Sequence, residues 1–243
     1  MKKPTTKGAR LRRPPEAAPR DNFASVTRAV GTAALAAKLP LIGDGIAAFL
    51  GAMFPSAFER RTEAWLREAQ QAINELRRRG VNVEALRDNE QFADLVLTAT
   101  QAAMRTRSEE KRRALRNAIV NAGRGKAPRE IKQQMFVRFV EEFTELHLRL
   151  LALLGDPAGW CEAHKKTLPH IVGGTMEKVA KLAFDDFTEN RSLYNIATRD
   201  LHARGLTDLT QLNDGGMVNA PEKARTSDLG AEFLRFICEA PDA

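Results

Sequence analysis

Apolar residues recur every three or four positions along most of this chain, and capping residues or glycines separate the successive runs. The pattern predicts four helical stretches, over residues 55–79, about 89–107, 108–123 and 130–154. Thr144 interrupts the last stretch and divides it into two helices. Because no run repeats at a fixed period, the pattern indicates a multi-helix bundle.

A different order of elements begins at Asn190, which can cap a helix that Gly205 is placed to end. The apolar stripe of this helix consists of Leu193, Ile196, Ala197 and Leu201. Opposite it runs a polar stripe of Arg191, Asn195, Arg199 and His202. We take the polar stripe as the candidate partner-binding or DNA-binding face of the chain.

Two short strands are predicted after this helix. The first covers Leu206 to Leu212, the second covers Met217 to Ala220, and a glycine-containing turn over residues 213–216 joins them. A closing helix carries the apolar residues Leu229, Phe233, Leu234, Phe236 and Ile237. Since helix, strand, turn, strand and helix is the order of a winged helix, we predict a small C-terminal winged-helix module with a short β-hairpin.

The predicted fold class is therefore mainly α, a helical bundle followed by a winged-helix module. Composition agrees, because aromatic residues make up only 6% of the chain while helix formers are abundant. We assign residues 1–20 to a disordered basic arm, residues 21–167 to the bundle domain and residues 168–243 to the winged-helix domain.

The formal net charge of +7 is distributed unevenly along the chain. Residues 1–20 carry seven basic side chains against one carboxylate, whereas residues 168–243 carry eight basic side chains against twelve carboxylates. The basic arm can bind acidic lipid or nucleic acid by plain electrostatics, or it can serve only as a solvating tail. The acidic C-terminal module is at a disadvantage for DNA, because phosphate neutralisation supplies most non-specific affinity.

The polar stripe is compatible with two kinds of partner. Arg and Asn side chains match guanine and adenine edges in a major groove, which suits a DNA-reading helix. Against this, Asp185, Asp186 and Glu189 immediately precede the helix and would repel phosphates. The sequence therefore favours docking of an unspecified protein partner and keeps DNA as the alternative.

A second segment with functional potential is the apolar stretch over residues 29–54, which Pro40 should divide into two helices. Within it, Gly43, Ala47 and Gly51 form a stripe of small residues on which another helix can pack closely or a second copy can associate. A membrane span needs about 20 consecutive apolar residues, and the part from Leu39 to Phe54 is shorter and carries Asp44 near its start, so a span is not expected. Buried packing is favoured, with shallow insertion into a bilayer beside the basic arm as the alternative.

Residues with catalytic or metal-binding chemistry are few. Cys161, His164 and His170 could begin a zinc site or pair a nucleophile with a base, but a fourth ligand is missing and the spacing matches no common finger. The clusters over residues 77–79 and 111–113 are basic but adjoin glutamates, which is typical of a salt-bridged surface. We therefore expect no enzyme activity, no metal and no cofactor.

Three stretches of the sequence carry a family resemblance. They are residues 39–61, which include LPLIGDG, residues 143–151, with sequence FTELHLRLL, and residues 226–234, with sequence TSDLGAEFL. Their pattern and order resemble a group of poorly characterised bacterial helical proteins related to the Abi-alpha type, which is linked with abortive infection, a phage-defence response. The resemblance implies a bacterial cytoplasmic protein without enzyme chemistry, and it transfers no site residue.

Together these observations predict a non-enzymatic bacterial interaction protein whose acidic winged helix docks a protein partner. The context would be phage defence, in the cytoplasm and with peripheral contact at the inner membrane. The alternative is a DNA-binding transcriptional regulator that uses the polar stripe, and a third hypothesis is an enzyme built around Cys161 and His164.

Overall fold

The computed structural model describes residues 55–167, 175–213 and 223–239. Within these ranges the chain forms ten helices. They are α1 (Pro55–Arg78), α2 (Val83–Leu86), α3 (Glu90–Arg105), α4 (Glu109–Gly123), α5 (Glu130–Glu142), α6 (Glu145–Gly155), α7 (Pro157–Ala163), α8 (Met176–Ala183), α9 (Arg191–Ala203) and α10 (Asp228–Ile237). The prediction of a mainly α fold is confirmed for this part of the chain.

Several helix boundaries follow from capping groups that are readable in the sequence, although the predicted cap Asn190 makes no side-chain hydrogen bond to α9. The side chains of Asn89 and Ser108 each accept a hydrogen bond from the backbone N–H of the third residue of the helix that follows. Gly80 after α1 and Gly205 after α9 adopt φ values of +75° and +71°, which a residue with a side chain would adopt only under strain. As predicted, Thr144 separates α5 from α6.

One hydrophobic core runs through the described helices. In it α3 packs against α4 and α5, α9 packs against α6, and α10 packs against both α4 and α6. Aromatic rings mark the contact of α10 with α5, where the ring centroid of Phe233 lies 5.1 Å from that of Phe136 and 5.8 Å from that of Phe139. The C-terminal helices therefore share their core with the helices before them.

The segment after α9 differs from the predicted hairpin. Leu206 to Leu212 forms no regular strand, and only Thr207 is bridged, in antiparallel fashion, to Thr226. Three of its leucines are buried, at a spacing of three residues, whereas a half-buried strand buries every second residue. They are Leu206, Leu209 and Leu212. Since the second predicted strand, Met217 to Ala220, lies outside the described residues, the hairpin is not confirmed.

A close backbone approach joins the end of α9 to the start of α10. The Oγ of Ser227 donates to the carbonyl oxygen of Gly205, and the N–H of Ser227 donates to the carbonyl of Leu206 at 3.1 Å. A Cβ atom placed on Gly230 would lie only 2.0 Å from the Leu206 carbonyl oxygen. Glycine is therefore required at position 230 for α10 to pack in this position.

Several sequence predictions fall outside the described residues. These are the basic arm over residues 1–20, the small-residue stripe of Gly43, Ala47 and Gly51, and the candidate ligand His170. The domain borders at residues 20 and 167 likewise stay predictions. None of the helices in the described ranges combines the length and the apolar character that crossing a bilayer requires.

Candidate interaction surface

Helix α9 packs on the core with a face that differs in part from the predicted apolar stripe. Its buried residues are Tyr194, Ala197, Thr198 and Leu201. The stripe is confirmed for Ala197 and Leu201 but wrong for Leu193 and Ile196, which are exposed. The helix is rotated so that the larger Tyr194 ring is buried, and the Thr198 hydroxyl meets its hydrogen-bonding need by donating to the Tyr194 carbonyl at 2.8 Å.

Tyr194 anchors this inner face. Its ring centroid lies 4.9 Å from that of Phe187 and 5.2 Å from that of Phe184, and its hydroxyl donates to Oδ1 of Asp186 at 2.7 Å. That hydrogen bond is the main cause that lowers the pKa of Asp186. Burial, followed by the bond to Asp186, raises the pKa of Tyr194. At neutral pH the pair therefore consists of a protonated phenol and an ionised carboxylate.

The four residues of the predicted polar stripe lie along one flank of α9, but their side chains differ in availability. Nε and Nη2 of Arg191 contact the two carboxylate oxygens of Glu177 at 2.9 and 3.0 Å. The Nδ1–H of His202 donates to a backbone carbonyl of the following segment at 3.1 Å, and Asn195 is half-buried. Arg199 is exposed and makes no salt bridge with any described residue.

Two aliphatic side chains extend from α9 into solvent beside Arg199. Leu193 is 51% exposed and Ile196 is 44% exposed, one helical turn apart. Elsewhere in the described ranges, large aliphatic side chains with comparable exposure occur singly on three other helices. They are Leu66, Leu97 and Ile131. We call Leu193, Ile196 and Arg199 the α9 surface.

Charged groups that precede and follow α9 in the sequence are largely matched within the protein. Oδ1 of Asp185 accepts from the Nζ of Lys166 at 2.9 Å, and Nη2 of Arg204 lies 2.5 Å from Oε2 of Glu142. Glu189, just before the helix, is exposed. Since most neighbouring charges already have partners, the aliphatic pair and Arg199 are the groups on this side that are most available for binding.

The residues that suggested catalysis do not form a reactive pair. Cys161 is buried, and burial raises the pKa of its thiol, which opposes formation of the nucleophilic thiolate. His164 stacks on Trp160 with ring centroids 3.8 Å apart, and its Nδ1–H donates to the Trp160 carbonyl at 2.7 Å. Within the described residues no group of His, Cys, Asp and Glu side chains could hold a metal ion.

Comparison with known proteins adds no further constraint. No family model, no curated protein and no solved structure matches the chain.

Proposed function

We propose that the protein is a non-enzymatic interaction protein that binds a protein partner through the α9 surface. The single observation that carries this proposal is the exposure of Leu193 and Ile196 side by side on a helix whose other face is fully packed. Exposed aliphatic groups gain about 25 cal/mol for each Å² that a partner removes from water. A paired patch of this kind is suited to burial in an interface.

The occupant that fits best is an amphipathic segment of another protein. Its apolar ridge would cover Leu193 and Ile196, and a carboxylate on it would pair with Arg199, which lacks a salt-bridge partner within the described residues. This ion pair would lie at the edge of the apolar contact and be partly removed from water. It would contribute more to the choice of partner than to the binding affinity.

Duplex DNA is a poorer fit to the same surface. Phosphates and base edges are recognised mainly by hydrogen bonds and cationic side chains. On α9 the side chain of Arg191 is already paired with Glu177, and Leu193 and Ile196 offer no hydrogen bond. The acidic balance of residues 168–243 weakens attraction to phosphates further. DNA-binding regulation remains the alternative.

The wider setting is part of the proposal. The order of α9, the Thr207–Thr226 bridge and α10 supports a winged-helix-like module that presents the α9 surface. The resemblance to Abi-alpha type proteins supports a bacterial cytoplasmic protein that acts in phage defence. The basic arm over residues 1–20 supports peripheral contact with acidic lipid at the inner membrane or with nucleic acid.

Photo-cross-linking in a bacterial host tests the proposal. A benzophenone amino acid is placed at position 196 of the full chain, and in a matched control at position 131, where Ile131 is 83% exposed on α5. We expect a protein adduct from position 196 and none of that mass from position 131, with and without phage challenge. Arg199→Glu should reduce the adduct at least fivefold, because it places like charges together.

Two other outcomes would replace the proposal. An adduct of twice the mass of the chain would assign the α9 surface to a second copy. Salt-sensitive binding of duplex DNA that Arg199→Ala abolishes and Ile196→Ala leaves unchanged would favour the DNA-binding alternative. The same adducts from positions 196 and 131 would contradict a dedicated surface on α9.

A further inference from the structure

An arginine-rich cleft lies between α1 and α4, away from α9. It has a volume of about 390 Å³. Its charged lining residues are Arg67 and Glu68 from α1, with Glu109, Arg112, Arg113 and Arg116 from α4. The α4 residues occur at positions i, i+3, i+4 and i+7, so they form one face of that helix. The cleft therefore combines four guanidinium groups with two carboxylates.

Only one of these arginines is neutralised at close range. Nε of Arg112 donates to Oε1 of Glu68 at 3.0 Å, and Nη1 of Arg112 donates to the backbone carbonyl of Arg107 at 3.1 Å. The Arg112 side chain is 9% exposed, so this pair forms the floor of the cleft. Glu109 is 4.0 Å from the same arginine, so both carboxylates that line the cleft lie beside Arg112.

Arg116 has hydrogen-bonding capacity that the described residues do not use. Its Nε is buried and has no hydrogen-bond partner among them. Its Nη2 donates to Oδ1 of Asn117 at 3.2 Å and lies 3.8 Å from Oε2 of Glu75 and 3.9 Å from Glu239. Arg116 therefore brings a further positive charge to the cleft and is only partly neutralised there.

The two remaining arginines are also available. Arg67 and Arg113 are exposed, and neither makes a salt bridge with a described residue. They come from different helices, so they can contact one ligand from two sides. Planar guanidinium groups bind phosphate oxygens through paired N–H donors, which is the geometry such a ligand would meet.

We propose that the cleft binds a phosphate-rich small anion, either inorganic polyphosphate or the phosphate tail of a nucleotide. The excess of arginines over carboxylates among the lining residues determines the charge of the ligand. The volume is within the range of small-molecule sites. None of the described residues that line the cleft is aromatic and could stack on a base, so recognition is directed at phosphate groups. A site of this volume also suits a small ligand better than the extended backbone of a nucleic acid.

Isothermal titration of the full chain with inorganic pyrophosphate and, separately, with adenosine diphosphate tests this proposal. We expect saturable binding of pyrophosphate that weakens as salt is raised from 50 to 200 mM, because added salt screens exposed charges. Arg67→Ala and Arg113→Ala should each weaken binding about tenfold, as expected for the loss of a charge-assisted hydrogen bond. Both residues are exposed, so neither substitution should lower the thermal unfolding midpoint of the free protein.

Arg138→Ala is the matched control, since Arg138 is an exposed arginine on α5 outside the cleft. Equal affinities for pyrophosphate and adenosine diphosphate would assign the site to the phosphates alone, and tighter binding of the nucleotide would identify the nucleotide as the source. No saturable binding, or equal loss in Arg138→Ala and Arg113→Ala, would overturn the proposal. Binding of a duplex oligonucleotide but not of pyrophosphate, abolished by Arg113→Ala, would assign the cleft to nucleic acid instead.

Discussion

The two long helices of the C-terminal part, α9 and α10, use their apolar residues in different ways. On α10 every large aromatic side chain and Ile237 is buried, and Asn121 of α4 donates to carbonyls at the end of the helix. On α9 the inner face is equally well packed, yet Leu193 and Ile196 remain exposed. The apolar residues of α10 thus pack into the core, whereas those of α9 are divided between the core and an exposed outer face, to which the proposed partner would bind.

The largest expected effect is on the α10 side. Phe233→Ala removes a fully buried ring that contacts Phe136, Phe139 and Phe143. We expect a loss of about 3–5 kcal/mol in the free energy of unfolding, because transfer and cavity terms add. Urea titration followed by circular dichroism measures it. A loss below about 1 kcal/mol would show that α10 is not part of the core.

A smaller effect is expected from the polar contacts that hold the end of α10. The Nδ2 group of Asn121 lies 2.9 Å from the carbonyl oxygen of Phe236 and 3.0 Å from that of Cys238. Asn121→Ala leaves these buried acceptors without a donor and should cost about 1–3 kcal/mol. Hydrogen exchange should show faster opening of α10 with α9 unchanged. Equal acceleration in both helices would contradict a local role.

Tyr194→Phe tests the inner face of α9. It removes the hydrogen bond to Asp186 and should lower stability by about 0.5–1.5 kcal/mol at neutral pH. Since the pKa of Asp186 is lowered from 3.8 in the folded state, this contribution is complete above that pH and is lost as the pH falls through the folded-state pKa. Unfolding curves of both proteins between pH 7 and pH 2 should converge at the acid end. A constant difference would contradict the linkage.

The smallest effect on stability is expected on the outer face of α9. Leu193→Ala combined with Ile196→Ala should lower the free energy of unfolding by about 1 kcal/mol or less, because both residues are about half exposed. Thermal or urea unfolding measures it, with Phe233→Ala as the destabilised reference. A loss of several kcal/mol would mean that these residues are buried in the folded chain.

The sequence was sufficient to predict most helix boundaries. Ser108 and Gly205 have local roles, a side-chain cap and a left-handed turn, so their consequences do not depend on distant contacts. The division at Thr144 was readable for the same reason. A cap or a turn of this kind depends only on residues that are close in the sequence, so the sequence alone can predict it.

The pattern of apolar residues leaves the orientation of α9 ambiguous. Tyr194, Ala197, Thr198 and Leu201 fall at helical spacing just as the predicted stripe does. The face with Tyr194 is the one that is buried. Asp186 accepts a hydrogen bond from the tyrosine hydroxyl, and the rings of Phe184 and Phe187 contact the tyrosine ring. The Tyr194 hydroxyl, with Asp186 nearby in the sequence, is the feature that could have indicated this orientation, because a buried tyrosine needs a partner for its hydroxyl.

The arginine cleft depends on tertiary structure in the same way. The cluster over residues 111–113 was predicted to be a salt-bridged surface, and Arg112 agrees with that prediction. Arg113 differs because it makes no salt bridge with a described residue, and because α1 contributes Arg67 to the same cleft. Neighbours along a helix can be read from the sequence, but neighbours across a cleft cannot.

The most direct test of the account compares binding with stability in one variant. The partner identified by cross-linking at position 196 is titrated against the full chain and against the Leu193→Ala, Ile196→Ala double variant. We expect at least tenfold weaker binding by the variant, with a free energy of unfolding that stays within about 1 kcal/mol of the original. Unchanged affinity in a folded double variant would contradict the claim that the outer face of α9 is a docking surface.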